Sequence, residues 1–191
     1  MADPIRLSGP ADVEALRAFA HPLRLRLLSL LRTDGPSTAS ELARRVGESS
    51  GSTSYHLRQL ARYGFVEDDP DQPPGRQRRW RATAPGTHVE AKAFIEDPEA
   101  FAIVGRLIHW QLARFSDDLS AFVASVNEWD ASWLDAACSH DSSMRMDPDQ
   151  LARFSREIRD LIASYRDETA GATEGEIVSI YCGAVPTRET S

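Results

Sequence analysis

The segment at residues 51–66, GSTSYHLRQLARYGFV, restricts the fold more than any other part of the chain. Leu57, Leu60 and Ala61 recur at the spacing that buries one side of a helix. Gly64 can adopt the left-handed conformation that ends a helix, and the next two residues are typical of a strand. The opposite side of the predicted helix carries hydrogen-bonding side chains and no carboxylate: Ser52, Tyr55, His56, Gln59 and Arg62. By itself this polar face could be an ordinary solvated surface, so the neighbouring segments decide its role.

A second short helix is predicted immediately before this segment. Thr38 and Glu41 form the pattern of a capping box, in which each side chain bonds to the other residue's backbone. The helix that follows runs to Val46, and Gly47 ends it. Two short helices with a glycine-containing turn between them predict a helix-turn-helix. The polar face of the second helix, at 51–63, suits the major groove of DNA, where donors and acceptors meet base edges.

Two strands with an arginine-rich tip are predicted after the helix-turn-helix. They lie at 65–69 and 77–83, on either side of the loop DPDQPPG. The tip and the second strand hold four arginines: Arg76, Arg78, Arg79 and Arg81. We interpret residues 70–81 as a wing, a ribbon that places cations along the phosphate backbone beside an inserted helix. The alternative is a solvated arginine cluster, and the position directly after a helix-turn-helix favours DNA contact.

Two further helices are predicted before the helix-turn-helix. Apolar residues have helical spacing at 11–19, and Pro22 is suited to the first position of a second helix at 22–32. Arg24 is expected on the surface of that second helix. Its predicted buried stripe consists of Leu23, Leu27, Leu30 and Leu31.

Charge is distributed unevenly along the chain. The 191 residues carry a net charge of −7, which by itself argues against a partner as acidic as DNA. Residues 1–90, however, hold 13 arginine and lysine against 11 aspartate and glutamate residues, a net charge of +2. Residues 91–191 hold 9 against 18, a net charge of −9. The first half is therefore compatible with phosphate, and the second half is expected to have another role.

Composition sets the class of protein. With 41% hydrophobic residues the chain can bury a core in one domain or in two small ones. No apolar run approaches the about 20 residues of a membrane span, and the N-terminal segment lacks the pattern of a signal peptide. Cys138 and Cys182 suit a reducing compartment better than a disulfide scaffold. We therefore expect a cytoplasmic protein that has no contact with membranes.

Four segments, in this order, resemble the ArsR-type winged-helix transcription regulators: AHPLRLRLLSLL at 20–31, STASELARRVG at 37–47, STSYHLRQLARYGFV at 52–66 and RQRRWRAT at 76–83. The resemblance implies a homodimer, usually a repressor, that binds an inverted repeat in double-stranded DNA. It implies base contacts by Ser52, Thr53, Tyr55, His56 and Gln59, and wing contacts by Arg76, Arg78 and Arg79. Arg58 and Arg62 complete the predicted DNA-binding set.

Metal sensing is common among ArsR-type proteins, but it is not predicted for this chain. The cysteine pair that many of them carry in the first helix of the motif is absent from STASELARRV. The segment around His109 contains only that one histidine, whereas a transition metal needs about three or four ligands. The cluster at 138–141, CSHD, is interpreted as a polar loop. We expect no metal and no cofactor, so that any signal comes from a small organic effector or a partner.

A long helix that begins at Asp97 and Pro98 is predicted to form a dimer interface. Its apolar residues recur in steps of three and four over more than 20 positions, which suits packing against the same helix of a second subunit. Packing within one subunit is the alternative, and both can hold. The predicted dimerisation residues are Phe101, Val104, Ile108, Leu112, Phe115, Leu119 and Phe122.

The remainder of the second half is predicted as strand, helix and strand, and it resembles the C-terminal extension of one group of ArsR-like proteins. A helix opens at 147–150, and strands at 142–146 and 176–185 are expected to pair in a small sheet. The predicted buried side of the helix consists of Leu151, Phe154, Ile158, Leu161, Ile162 and Tyr165. The tryptophans, His109, Phe115 and Tyr165 could line an effector pocket, although aromatic residues at helical spacing are more often plain core.

The predicted fold is mainly α with small β (α+β). It consists of a winged helix-turn-helix domain at 1–86 and a helical dimerisation domain with a small two-stranded sheet at 87–191. The predicted function is a sequence-specific DNA-binding transcription regulator, a homodimeric repressor. The alternative is a protein-interaction module on a winged-helix scaffold, whose C-terminal half binds a partner or an organic ligand. An enzyme is not predicted, because no nucleophile–base pair, phosphate loop or metal set is recognisable.

Overall fold

The chain is mainly helical with small β-sheets, as the predicted α+β class requires. The computed structural model describes residues 3–72, 77–169, 171–172 and 174–187. Contacts divide the chain into two units, Met1–Gln111 and Leu112–Ser191, here called the first and the second unit. The helices are α1 (Val13–Phe19), α2 (Pro22–Thr33), α3 (Ala39–Val46), α4 (Ser50–Arg62), α5 (Pro98–Ala124), α6 (Ala131–Ala136) and α7 (Pro148–Glu168). The strands are β1 (Ile5–Leu7), β2 (Ser37–Thr38), β3 (Val66–Asp68), β4 (Arg79–Ala82) and β5 (Thr87–Val89).

The boundaries of the helix-turn-helix follow from local capping, as predicted. The hydroxyl of Thr38 accepts a hydrogen bond from the Glu41 amide at 3.2 Å, and the Glu41 carboxylate accepts one from the Thr38 amide at 2.8 Å. Gly47 ends α3 in the left-handed conformation, with φ of 72°. The hydroxyl of Ser49 then caps α4 by accepting a hydrogen bond from the Ser52 amide at 3.1 Å.

The wing is part of an antiparallel three-stranded sheet with the order β2-β4-β3. The predicted pair of strands is confirmed, with Glu67 opposite Arg81 and Asp68 opposite Trp80. The third strand, β2, has only two residues and was not predicted, because two residues carry no detectable alternation. A parallel pair formed by β1 and β5 was also not predicted.

The core of the first unit surrounds α2 and α4. Leu16, Leu27, Leu57, Leu60 and Phe65 are among its fully buried side chains, and the rings of Phe19 and Phe65 stack at 5.2 Å. The predicted stripe of α2 is partly wrong. Leu25 and Leu28 are buried, while Leu23 and Leu30 are half-buried against the same core, because α2 packs against α3, α4 and β4 rather than against one neighbour. Leu27 and Leu31 are buried as predicted.

The first unit extends beyond residue 86, where the DNA-binding domain was predicted to end. β5 pairs with β1, and the core also includes Phe94, Ala100, Ile103, Val104 and Leu107. The sequence did not reveal this extension, because the apolar positions of α5 continue without interruption past Gln111. The division into functional domains at residue 86 stays a prediction.

The second unit contains the predicted helix α7, whose capping box joins Asp147 and Gln150. The predicted two-stranded sheet is wrong, because in the described part of 112–191 the segments at 142–146 and 176–185 form no strand. Both segments are exposed along their described length, and an isolated two-stranded ribbon is only marginally stable without a covered face. The predicted buried side of α7 is likewise only half-buried or exposed, and Leu161 and Tyr165 are exposed.

Substitution of Gly64 by alanine should destabilise the protein by about 1–2 kcal/mol, because Gly64 has a φ of 74° that costs an L-residue strain. Gly105, in the middle of α5, provides the matched control. An added Cβ meets open space at both positions, so alanine at Gly105 should stabilise the protein by about 0.5–1 kcal/mol through helix propensity. Urea denaturation of the unsubstituted protein and the two alanine variants measures the two changes in the free energy of unfolding, which should have opposite signs. Equal changes would contradict the left-handed conformation of Gly64 and the helical conformation of Gly105.

Candidate nucleic-acid interface

The outer face of α4 exposes most of the predicted DNA-binding residues. Tyr55, Arg58 and Arg62 are exposed, while Ser52, His56 and Gln59 are half-buried with part of each residue accessible. Burial of Leu57 and Leu60 on the opposite side fixes this rotation of the helix. Contact of these exposed groups with DNA stays a prediction.

Thr53 does not belong to this face. It is 0% exposed, and in the described structure its hydroxyl has no hydrogen-bond partner. The assignment of Thr53 as a base contact is therefore corrected: its side chain lies in the core. The signal was present in the sequence, since Thr53, Leu57 and Leu60 follow the spacing of one buried helical stripe.

His56 is held by contacts from α2 that the sequence did not predict. A guanidinium nitrogen of Arg24 lies 3.4 Å from His56 Nδ1, and the rings of His21 and His56 lie 4.6 Å apart. Because arginine only donates hydrogen bonds, this contact assigns Nδ1 as the acceptor and leaves the ring proton on Nε2. Arg24, expected on the surface, is half-buried and also donates to the carbonyls of Arg17, at 3.1 Å, and Ala18.

The surroundings of both histidines favour the neutral form, because they lower the pKa of each ring. Burial, followed by the charge of Arg24, lowers the pKa of His56 below its ordinary value, and the carboxylate of Glu48 opposes this shift. The pKa of His21 is lowered by burial, by Arg24 and by His56. His21 also caps α2, because its Nδ1 accepts a hydrogen bond from the Leu23 amide at 3.2 Å.

Acidification below about pH 6.5 should therefore destabilise the first unit. The unfolded chain binds protons at His21 and His56 in the window between 6.5 and the lowered folded pKa values, whereas the folded chain does not, so stability falls as pH falls through that window. Urea denaturation between pH 7.5 and 5 measures the slope. The double variant His21→Asn, His56→Gln, which keeps a capping side chain, should show a flatter slope, and replacement of the exposed His140 should not. An unchanged slope in the double variant would contradict this assignment.

The described arginines of the wing are paired with carboxylates of the neighbouring strand and loop. Arg78 forms two hydrogen bonds with Asp68, one of them at 3.0 Å, and its guanidinium lies 3.9 Å from the centre of the Trp80 ring. Arg81 bonds to Glu67 at 2.8 Å. Arg76 lies outside the described residues. The sequence shows the arginines but does not place the acidic run 67–69 against them, because this charge pairing depends on the register of the two strands.

Because these ion pairs are exposed, the wing arginines can exchange their carboxylate partners for other anions. Arg78 and Asp68 are each about half exposed, at 51% and 54%. Exposed ion pairs contribute about 0–1 kcal/mol, so a phosphate oxygen can replace the Asp68 carboxylate at low cost. The wing is therefore less electropositive than its arginine count indicates.

Three exposed arginines of the helix-turn-helix form no salt bridge in the part of the chain that the structure describes, although the charge of Arg44 contributes to the lowered pKa of Glu41. They are Arg44 of α3 and Arg58 and Arg62 of α4. Arg44 was not among the predicted DNA-binding residues. The adjacent Arg45 is also exposed but pairs with Asp34, so exposure alone does not show which of the two arginines lacks a salt bridge. Unpaired cations on these helices are suited to contact phosphate groups.

The predicted dimerisation residues do not all share one environment. Phe101, Ile108, Leu112 and Leu119 are exposed, and Phe115 and Phe122 are half-buried. Val104 is only 3% exposed, because it packs into the core of the first unit. Val104 is therefore removed from the predicted interface. The steps of three and four in α5 combine an intramolecular stripe with an exposed one, which periodicity alone does not separate.

No group of three or more metal-ligating side chains occurs in the described ranges of the chain. Cys138 and Cys182 are both exposed and unpaired with each other. Among the same residues, no helix combines the length and apolar character needed to cross a membrane.

The capped α3 and α4, followed by the β3–β4 wing, define a winged helix-turn-helix domain. Residues 19–69 match the family described as a helix-turn-helix domain. Over 73 residues the chain is 33% identical to the HTH-type transcriptional regulator YgaV of Escherichia coli K12, a match that covers 37% of this chain and 74% of that protein. The chain therefore belongs to the family of helix-turn-helix transcriptional regulators, and it is a DNA-binding regulator.

Solved structures of transcription regulators are also similar to this chain. Reduced HlyU from Vibrio cholerae is 24% identical, with a TM-score of 0.33, and the match covers 50% of this chain and 82% of that chain. A MarR family regulator from Neisseria meningitidis, NMB1585, is 15% identical, with a TM-score of 0.33 and 81% of each chain covered.

Proposed function

We propose that the protein is a homodimeric repressor of the ArsR type that acts in the cytoplasm and binds an inverted-repeat operator. The observation that carries this proposal is the exposed face of α4, which presents hydrogen-bonding and cationic side chains and no carboxylate beside an arginine-bearing wing. The four ordered segments that resemble ArsR-type regulators support the subtype. We assign the protein no catalytic activity.

In this proposal α4 supplies the sequence specificity, and the arginines on and around it supply most of the affinity for DNA. The proposed base contacts are made by Ser52, Tyr55, His56 and Gln59, whose donors and acceptors match base edges in the major groove. The proposed phosphate contacts are made by Arg58 and Arg62, and by Arg76 and Arg78 of the wing. Arg78 would exchange Asp68 for a phosphate oxygen on binding.

A second copy of the chain is the proposed partner of the second unit. Every described residue of 112–187 is exposed or half-buried, so this unit has no core of its own in a single chain. Its exposed apolar side chains include Leu112, Leu119, Val123, Leu161 and Ile177. Burial against the same surface of a second subunit would remove this area from water and set the spacing of the two α4 helices.

The same exposed surface favours a second candidate function, in which the second unit binds a different protein or an organic ligand and DNA contact is secondary. An organic effector is also the proposed signal for the repressor, because the sequence of α3 lacks the cysteine pair of metal-sensing ArsR-type proteins. The oligomeric state and the salt dependence of DNA binding distinguish the two functions.

Two substitutions on α4 should distinguish residues that supply affinity for any DNA from residues that supply sequence specificity. Arg58→Ala should weaken binding to the gene's own upstream region and to an unrelated duplex alike, and should reduce the salt slope by about one unit. Gln59→Ala should keep the slope but lose about 1–3 kcal/mol on the specific site alone. Fluorescence anisotropy over a series of salt concentrations measures both quantities, with Arg153→Ala in α7 as the control. Binding that does not depend on salt would contradict the proposal.

Sedimentation should show a dimer at micromolar concentration. Leu119→Glu, which places a charge on the exposed stripe of α5, should dissociate the dimer and weaken operator binding. Ile95→Glu, an exposed apolar position of the first unit outside that stripe, serves as the matched control and should leave the dimer intact. A monomeric unsubstituted protein would contradict the proposed homodimer.

A further inference from the structure

Arg79 differs from the other described wing arginines in its partners, although its side chain is 42% exposed, about as much as that of Arg81 at 40%. Its guanidinium donates a hydrogen bond to the carbonyl of Pro36 at 2.5 Å and lies 3.8 Å from the carboxylate of Asp69. Its backbone amide donates to the side-chain oxygen of Gln72 at 2.7 Å. Arg78 and Arg81, in contrast, each bond to an exposed carboxylate.

Asp69, directly after β3, is the buried member of the acidic run 67–69. Its side chain is 6% exposed, whereas that of Asp68 is 54% exposed. The carboxylate of Asp69 accepts a hydrogen bond from the Asp71 amide at 3.3 Å, and the Asp69 amide donates to the carbonyl of Arg79 at 3.0 Å. A buried carboxylate needs such partners to offset its loss of hydration, and these partners lie in the wing itself.

Pro36 connects this group to the helix-turn-helix. It directly precedes β2, where Thr38 pairs with Arg79 in the sheet and also caps α3. The positive charge of Arg79 contributes, after the two hydrogen bonds from Thr38, to the lowered pKa of Glu41 in the same capping box. Arg79 therefore joins three segments: its guanidinium contacts Pro36 before β2 and Asp69 after β3, and its backbone amide contacts Gln72 in the wing loop.

We infer that Arg79 and Asp69 are positioning residues that fix the wing relative to α3 and α4, and that Arg79 is not a phosphate contact. The inference rests on the proposed DNA-binding function and reassigns one of its predicted contacts. The exposed Arg78–Asp68 pair is free to open for a phosphate, because its partners hold no other element in place. The Arg79–Asp69 pair stays closed, because opening it would release Pro36 and leave the buried Asp69 carboxylate with no cation beside it and only the Asp71 amide as a partner.

Neutralising the two neighbouring carboxylates should have opposite effects on DNA binding. Asp68→Asn and Asp69→Asn each remove one negative charge from the wing, so simple electrostatics predicts tighter binding for both. With Asp69 as a positioning residue, Asp68→Asn should tighten binding about two- to fivefold by releasing Arg78. Asp69→Asn should weaken binding about three- to tenfold, because the displaced wing loses phosphate contacts.

Hydrogen exchange of the free protein tests the same inference without DNA. Asp69→Asn should accelerate exchange of the amides at the base of the wing, including that of residue 69, and Asp68→Asn should leave them unchanged. If Asp69→Asn is too unstable to study, Gln72→Ala provides the second variant. It removes only the acceptor of the Arg79 amide and should also accelerate exchange and weaken DNA binding, with the rest of the fold unchanged.

The outcomes are distinguishable from failure of the proposed function. Absence of DNA binding by the unsubstituted protein would reject the function, while the exchange data would still decide the role of Asp69. Equal tightening by Asp68→Asn and Asp69→Asn, with unchanged exchange at the wing, would overturn the inference. An Arg79→Ala variant that loses about one unit of salt slope while its wing amides stay protected would also overturn it, since that result identifies a phosphate contact.

Discussion

Burial of one side of α4 is the constraint on which the other features of the first unit depend. Leu57 and Leu60 are fully buried, and Thr53 completes the same stripe even though its hydroxyl lacks a hydrogen-bond partner within the described structure. This packing leaves the opposite face accessible and fixes its rotation. The capping groups at Thr38 and Ser49 place the start of each helix, but without the apolar stripe they would stabilise helices with no defined orientation.

Electrostatics in the wing is governed by strand register rather than by composition. Antiparallel pairing sets Glu67 opposite Arg81, and the neighbouring Asp68 reaches Arg78. Positive charge that forms no salt bridge, within the described ranges, is found instead on α3 and α4. The proposed interface therefore combines exposed cations on the helices with a wing cation that becomes available when a phosphate displaces its carboxylate.

The second unit differs from the first in how far its side chains are packed. Helix α7 forms as its capping box predicts, yet none of the unit's described residues is buried. Helices of this length are stabilised mainly by tertiary packing, and the exposed apolar surface of this unit is the basis for the proposed second subunit. The proposed second subunit would supply this packing and would also carry the second recognition helix, which links the stability of one unit to the function of the other.

The sequence by itself determined the features that depend on local spacing. The helix-turn-helix, its capping box, the left-handed glycines, the wing hairpin and α7 follow from contacts between residues a few positions apart, and the structure confirms them. Tertiary structure decided what depends on contacts between distant segments. It placed Thr53 and Val104 in the core, brought Arg24 to His56, and set the carboxylates of β3 against the arginines of β4. It also left 142–146 and 176–185 unpaired, because a strand needs a partner and a covered face that alternation alone does not supply. Burial and charge pairing are properties of the folded neighbourhood, which no single segment encodes.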